Sequence, residues 1–187
     1  MSSIHVVCTP FEGTQDRQIL GVLQKYAAKA AAGHPVFVIP QMSSPECLAE
    51  CPSFATLIIC AHTRSDSPWT LHETSDSSGR SILIQDFVNL LLHAKLPGDH
   101  VLIQIVGRES SVFARNLARA LADSHPNIVV GGYTNVISFA QAHRTLIELP
   151  ANLAEKVVDT GGVSAAQWFN AEGPTQKPES HVPESST

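Results

Sequence analysis

The chain has 187 residues, 43% of them hydrophobic and 16% charged, which predicts a single domain with a closed apolar core and excludes disorder over most of the length. A formal net charge of -5 argues against a nucleic-acid-binding module, because such a module needs a net basic face. No apolar run reaches the roughly 18 residues of a membrane span, and the N-terminus lacks the pattern of a cleaved secretory signal. We therefore expect a protein that is cytoplasmic, or exported without a cleaved signal peptide.

Short β-rich segments alternate with longer helical ones along the chain, a pattern typical of a parallel α/β sheet. In chain order, we predict strands at 4–8, 36–39, 55–61, 101–106, 128–130 and 145–149, and helices at 14–32, 85–94 and from Ser110 or Ser111 to about Leu121. The fold class that follows is a three-layer α/β sandwich, with a mostly parallel sheet of five to six strands between helices.

A long polar loop and a polar tail interrupt this alternation. The loop follows the strand at 55–61 directly, and residues 69–71 and 81–83 within it are the arms of a small predicted hairpin. Long loops after core strands are where α/β proteins carry function. The segment 171–187 is rich in Pro, Glu, Ser and Thr and has no apolar period, so we predict a domain at 1–170 followed by a disordered tail.

The carboxyl ends of parallel strands gather functional groups at one edge of an open sheet. Applied to the predicted strands, this rule collects Cys8, Cys60, His62, Arg108, Glu109, Ser110 and Thr134. His62 stands out among them because it follows a core strand and opens the long loop, where an imidazole can act as a general base at neutral pH.

Neither a metal nor a cofactor is expected. Cys47 and Cys51 lie four residues apart with no Cys-x-x-Cys pattern and no matching histidine pair, so a structural zinc site is not predicted. The four cysteines are too few and too uneven for a disulfide scaffold. The glycine pairs at 131–132 and 161–162 lack the context of a phosphate-binding loop, which argues against standard nucleotide binding.

The strand ending in His62 resembles a known motif. Residues 57–62, Leu-Ile-Ile-Cys-Ala-His, are similar to the strand and histidine of the caspase–haemoglobinase fold, peptidase clan CD. Residues 101–108 resemble the strand that ends in the nucleophilic cysteine of that group. Residues 113–118 and 132–134 are most similar to the self-processing cysteine protease domains of large bacterial toxins. The resemblance covers roughly residues 4–168 and implies a strand order beginning 2-1-3-4.

Two departures from this pattern bear on activity. Arg108 stands where the resemblance places the nucleophile, and Thr63 replaces the glycine that usually follows the histidine. A guanidinium cannot act as a nucleophile, so His62 alone carries over from the dyad. The leading hypothesis is a catalytically degenerate domain of a bacterial effector or toxin-related protein. It would act by binding a protein or an anionic ligand, with Arg108, Glu109, Ser110 and Thr134 as the ligand-binding residues.

Alternatives stay open. An active cysteine peptidase would pair His62 with Cys8 or Cys60 and cleave a peptide substrate. Ser110 or Ser111 beside His62 would supply a hydroxyl nucleophile, yet a helix-capping role explains a serine there without any catalysis. A third reading is a flavodoxin-like domain that binds a small ligand. The toxin domains are activated by inositol hexakisphosphate in a dense basic pocket. Here the basic residues are spread thinly, so inositol phosphate is only weakly supported as a ligand.

Overall fold

A computed structural model describes residues 4–52, 55–76, 78–100, 102–133 and 166–178 and confirms the predicted α/β class. The strands are β1 (His5–Cys8), β2 (Val36–Ile39), β3 (Thr56–Cys60), β4 (Thr70–His72), β5 (Ser81–Leu83), β6 (Leu102–Val106), β7 (Val129–Tyr133), β8 (Ala166–Asn170) and β9 (Gly173–Thr175). The helices are α1 (Arg17–Ala31), α2 (Ile84–His93) and α3 (Ser111–Ala120).

One mixed sheet organises the fold, with the strand order β2-β1-β3-β6-β7-β8-β9. The first five of these strands run parallel, and β8 and β9 add an antiparallel edge. The predicted order beginning 2-1-3 is therefore confirmed, with β6 as the next parallel strand. The predicted hairpin is also present, as the separate antiparallel pair β4 and β5.

The sheet has seven strands among the described residues, so the expectation of five to six was too low. The β8–β9 hairpin accounts for the difference, and β9 lies within the segment predicted as a tail. Pro174 and the polar composition around it hid this strand, although an edge strand tolerates proline. The hairpin joins the sheet by pairing of β8 with β7, and the ring of Trp168 packs so closely on Gly131 that a Cβ there would lie 2.5 Å from it. The strand predicted at 145–149 lies outside the described residues.

The helices complete the three layers of the sandwich. On α1, the buried positions Ile19, Val22 and Tyr26 recur at helical spacing and pack that helix against β1, β2 and β3. Helix α3 packs against β7 and β8, and α2 packs against α3. Among the described residues, no helix has the length and apolar character needed to cross a bilayer.

Strands β3 and β6 form the centre of the sheet, and every residue of both is buried. This explains their unbroken apolar sequence, since a central parallel strand is covered on both faces. Their pairing aligns Cys60 with Val106. The residues that follow each strand, beginning with Ala61 and Gly107, therefore emerge side by side at the carboxyl edge of the sheet.

Candidate functional site

A buried histidine–carboxylate pair lies at the carboxyl edge of the sheet. His62 follows β3 by two residues and is only 2% exposed, and its Nε2 lies 3.1 Å from Oδ1 of Asp16. The carboxylate oxygen can only accept, so His62 carries its proton on Nε2 in this contact. The two residues are 46 positions apart in sequence. Nothing in the sequence analysis pointed to Asp16, which is the residue of this site that it missed.

Asp16 is held in place by a second task, because it is the N-cap of α1. Its Oδ1 also accepts hydrogen bonds from the backbone N–H groups of Gln18 and Ile19, at 3.1 and 2.9 Å. The carboxylate thus occupies the end of the helix where a bound phosphate would otherwise sit. The negative charge of Asp16 would repel an anionic ligand at the first βα turn. This counts against the flavodoxin-like alternative for a ligand that is anionic.

The backbone around His62 is also fixed. The residue exchanges two backbone hydrogen bonds of 2.8 Å with His72, which joins the strand end to the hairpin β4–β5. The next residue, Thr63, donates its hydroxyl to the carbonyl oxygen of Arg108. The structure therefore brings the His62 and Arg108 loops together at one edge of the sheet.

Gly107 permits this close approach. A Cβ at this position would lie 2.6 Å from the carbonyl oxygen of Ala61 and 2.8 Å from Oγ1 of Thr63. Both distances are well below van der Waals contact, so only glycine lets the two loops touch. The Thr63 hydroxyl bridges the loops at a position where the resemblance would place a glycine.

The turn from β6 into α3 presents Arg108 to solvent. Glu109, which follows it, has a φ of +51°, in the left-handed region that a non-glycine residue rarely adopts. Ser110 is fully buried, donates its hydroxyl to the carbonyl oxygen of Ile105 and accepts from the backbone N–H of Tyr133. Its hydroxyl is thus engaged in joining β6 to β7. Thr134, the last predicted ligand-binding residue, lies outside the described residues.

Both thiols proposed for the peptidase alternative are buried in the core. Cys8 and Cys60 have no exposed surface, and the Sγ of Cys8 donates a weak hydrogen bond of 3.9 Å to the carbonyl oxygen of Ile58. Burial raises the pKa of the Cys8 thiol well above its ordinary value and raises the pKa of Cys60 to about 12. Both side chains are therefore protonated thiols at neutral pH, whereas the thiolate is the nucleophilic form.

The strand register also separates these two thiols. Cys8 pairs with Ile59 in the neighbouring strand, so Cys8 and Cys60 point to opposite faces of the sheet. Cys60 is the last residue of β3, so the alternation of side chains along the strand does not extend to His62.

A cleft of about 520 Å³ opens beside the pair. Its lining residues come from the β1–α1 loop with the first turn of α1, and from the loop after β4: Gly13, Gln15, Asp16, Arg17, Gln18, Glu73 and Thr74. Arg80 joins these two loops. Its guanidinium binds both carboxylate oxygens of Glu73, donates to the carbonyl oxygen of Glu12 at 2.7 Å, and lies 5.9 Å from the centre of the Phe11 ring.

The Glu73–Arg80 pair predicts a specific acid dependence. Hydrogen bonds from Arg80 lower the pKa of Glu73 from 4.5 to about 2. The pair therefore contributes its full stabilisation above pH 4.5 and loses it as the pH falls toward 2. We expect Glu73→Gln to lower the free energy of unfolding at pH 7 by less than about 1 kcal/mol, because Arg80 is half-exposed. Urea unfolding of both proteins should show this difference shrinking below pH 4.5, and a difference that stays constant down to pH 2.5 contradicts the prediction.

Two cysteines lie away from this edge of the sheet. Cys47 and Cys51 are both free and partly buried, and the Sγ of Cys51 lies 3.8 Å from Nδ1 of His100 at the opposite edge of the sheet. In the part of the chain that the structure describes, no group of three or more His, Cys, Asp or Glu side chains is arranged to hold a metal ion.

Comparison of the sequence with protein-family models and with curated proteins finds no match.

Proposed function

We propose that this domain acts by binding, as a catalytically degenerate relative of the clan CD peptidases. The observation that carries this proposal is the exposed side chain of Arg108 at the end of β6, beside the loop of His62. An active peptidase of this group would present a thiolate there. The guanidinium instead offers a fixed positive charge that can bind a carboxylate or a phosphate through two hydrogen bonds.

The burial of the Cys8 and Cys60 thiols supports the same proposal. Cys8 and Cys60 are buried and their pKa values are raised, so neither supplies a thiolate to His62 at neutral pH. The imidazole itself is nearly inaccessible to solvent and bonds to the Asp16 carboxylate. In this arrangement the pair fixes the N-terminus of α1 against the long loop, a structural task that needs no substrate.

Thiol labelling tests the proposal directly. Treated with iodoacetamide at pH 6 and pH 7.5, the native protein should leave Cys8 and Cys60 unmodified, while denaturant should expose all four cysteines to labelling. Mass spectrometry of the digested protein separates the sites, and the partly buried Cys47 and Cys51 serve as internal references. Rapid labelling of Cys8 or Cys60 in the native state that His62→Ala slows would overturn the proposal in favour of an active peptidase. Self-cleavage on addition of inositol hexakisphosphate would do the same.

A gain-of-thiol variant tests the placement of Arg108. If position 108 corresponds to the nucleophile of the peptidases, Arg108→Cys should be alkylated at least about tenfold faster than Arg119→Cys at an exposed position in the last turn of α3, because an imidazole nearby favours the thiolate. His62→Gln in the Arg108→Cys background should remove that advantage. Equal rates for the two cysteine variants, or a rate that does not depend on His62, would show that position 108 is not equivalent to the nucleophile.

A further inference from the structure

A surface on and beside α3 combines exposed apolar side chains with arginines. It consists of Trp69, which directly precedes β4, of Arg108 in the turn before α3, and of Val112, Arg115 and Arg119 on α3 itself; Arg115 is half-buried and the others are exposed. We call it the α3 surface. The apolar members are exposed by 51% for Trp69 and 38% for Val112.

Hydrogen bonds hold the hairpin against the helix. The side-chain amide of Asn116 donates to the carbonyl oxygen of Pro68 at 3.3 Å, which fixes the residue just before Trp69 on α3. The backbone N–H of Ile84 donates to the carbonyl oxygen of Trp69 at 2.9 Å, which pairs Trp69 with Ile84 at the base of the hairpin. The backbone that carries Trp69 is therefore fixed both to the hairpin and to α3.

The helical period aligns the remaining members. Val112, Arg115 and Arg119 recur at intervals of three and four residues and occupy one stripe of α3, and Asn116 adjoins Val112 on the side of the hairpin. Arg108 lies in the turn three residues before α3 begins, where Thr63 holds its carbonyl group. In chain order, Arg108, Arg115 and Arg119 make up the arginine row of this surface.

The charge of this row is not neutralised locally. Within the described residues, none of the three arginines forms an ion pair, and Nε of Arg115 has no hydrogen-bond partner there. Arg64 nearby is already paired with Asp66, and Glu109 contributes one negative charge next to Arg108. The surface is therefore positive on a chain whose net charge is -5.

We propose that the α3 surface docks an acidic segment of a protein partner, with apolar side chains of that segment covering Trp69 and Val112 and its carboxylates binding the arginines. Exposed tryptophan and arginine are the residue types that contribute most to protein interfaces. A nucleic acid fits less well, because three arginines neutralise few phosphates while Val112 would stay uncovered. The inference rests on the proposed function, since it names the partner class for a domain that binds.

The test uses a fluorescein-labelled peptide of glutamates interrupted by leucine and phenylalanine, with fluorescence anisotropy as the readout. The peptide should bind the wild-type protein, and the affinity should fall as salt is raised. Arg108→Glu with Arg119→Glu should weaken binding by about tenfold or more, and Trp69→Ala by a similar factor. The matched control, Arg17→Glu with Lys95→Glu, makes the same change in net charge at exposed positions off this surface and should alter binding by less than about twofold.

Several results would overturn the inference. The inference fails if the peptide does not bind, or if the surface variant (Arg108→Glu with Arg119→Glu) and the control variant (Arg17→Glu with Lys95→Glu) weaken binding equally. It also fails if a glutamate peptide that lacks apolar residues binds equally tightly. An RNA oligomer or an anionic lipid vesicle that binds as tightly, with the same response to the variants, would show that the surface is not specific for protein. None of these results changes the thiol-labelling outcome, so failure of the docking surface and failure of the non-catalytic proposal are distinguishable.

Discussion

Replacing Gly107 with alanine should destabilise the protein by about 2–3 kcal/mol, because the main-chain atoms packed against Gly107 leave no room for an added methyl group. The new Cβ would lie 2.6 Å from the carbonyl oxygen of Ala61, which belongs to the main chain and cannot rotate away. Relief requires the ends of β3 and β6 to separate, and this would also stretch the bond between Thr63 and Arg108. Chemical denaturation measures the change in free energy of unfolding.

Gly21→Ala is the matched control for this substitution. Gly21 lies on the exposed side of α1, and a Cβ there would meet no atom within 4 Å. Alanine should therefore stabilise the protein by about 0.5–1 kcal/mol through its higher helix propensity. If both glycines respond alike, or if Gly107→Ala is neutral, the two loops are not in the contact described.

Asp16→Ala should be of comparable severity, with a loss of about 2–4 kcal/mol in the free energy of unfolding. The substitution removes the N-cap of α1 and also removes the acceptor that faces Nε2 of the buried His62. The first loss is worth about 1 kcal/mol, and removing the partner of a buried donor costs a further 1–3 kcal/mol.

Two further variants separate these contributions. Asp16→Asn keeps an oxygen able to accept from both the helix and His62, so it should cost less than about 1 kcal/mol. Asp16→Ser keeps a capping hydroxyl but has a shorter side chain, so it should retain the cap and lose the contact with His62. We therefore expect the order of stability wild type, Asn, Ser, Ala. A serine variant as stable as the asparagine variant would show that the contact with His62 contributes nothing.

The two sets of variants also bear on function in different ways. Gly107 and Asp16 fix the Arg108 and His62 loops, respectively, without belonging to the α3 surface. If the domain acts by binding through that surface, Asp16→Asn should leave peptide binding intact, whereas Gly107→Ala displaces the loop that carries Arg108 and should weaken it. Stability and binding thus give independent checks on the same edge of the sheet.

Local sequence patterns determined most of the secondary structure. The unbroken apolar runs of β3 and β6 predicted central strands, because a parallel strand covered on both faces needs apolar residues throughout. The spacing of Ile19, Val22 and Tyr26 predicted α1 for the corresponding reason, since burial of one helical face repeats with the helical turn. The position of His62, directly after a core strand, was readable from sequence as well.

The tertiary structure alone decided which residues meet. Asp16 and His62 are 46 positions apart, and Thr63 and Arg108 are 45 apart, so neither contact leaves a periodic trace in the sequence. Both depend on the order of strands in the sheet, which is set by packing of the whole core. The β8–β9 edge was hidden for a related reason, because it forms by pairing of β8 with the distant strand β7, in which Trp168 lies opposite Gly131. Burial periodicity is a local property that sequence records, whereas the pairing of distant side chains exists only once the core has closed around them.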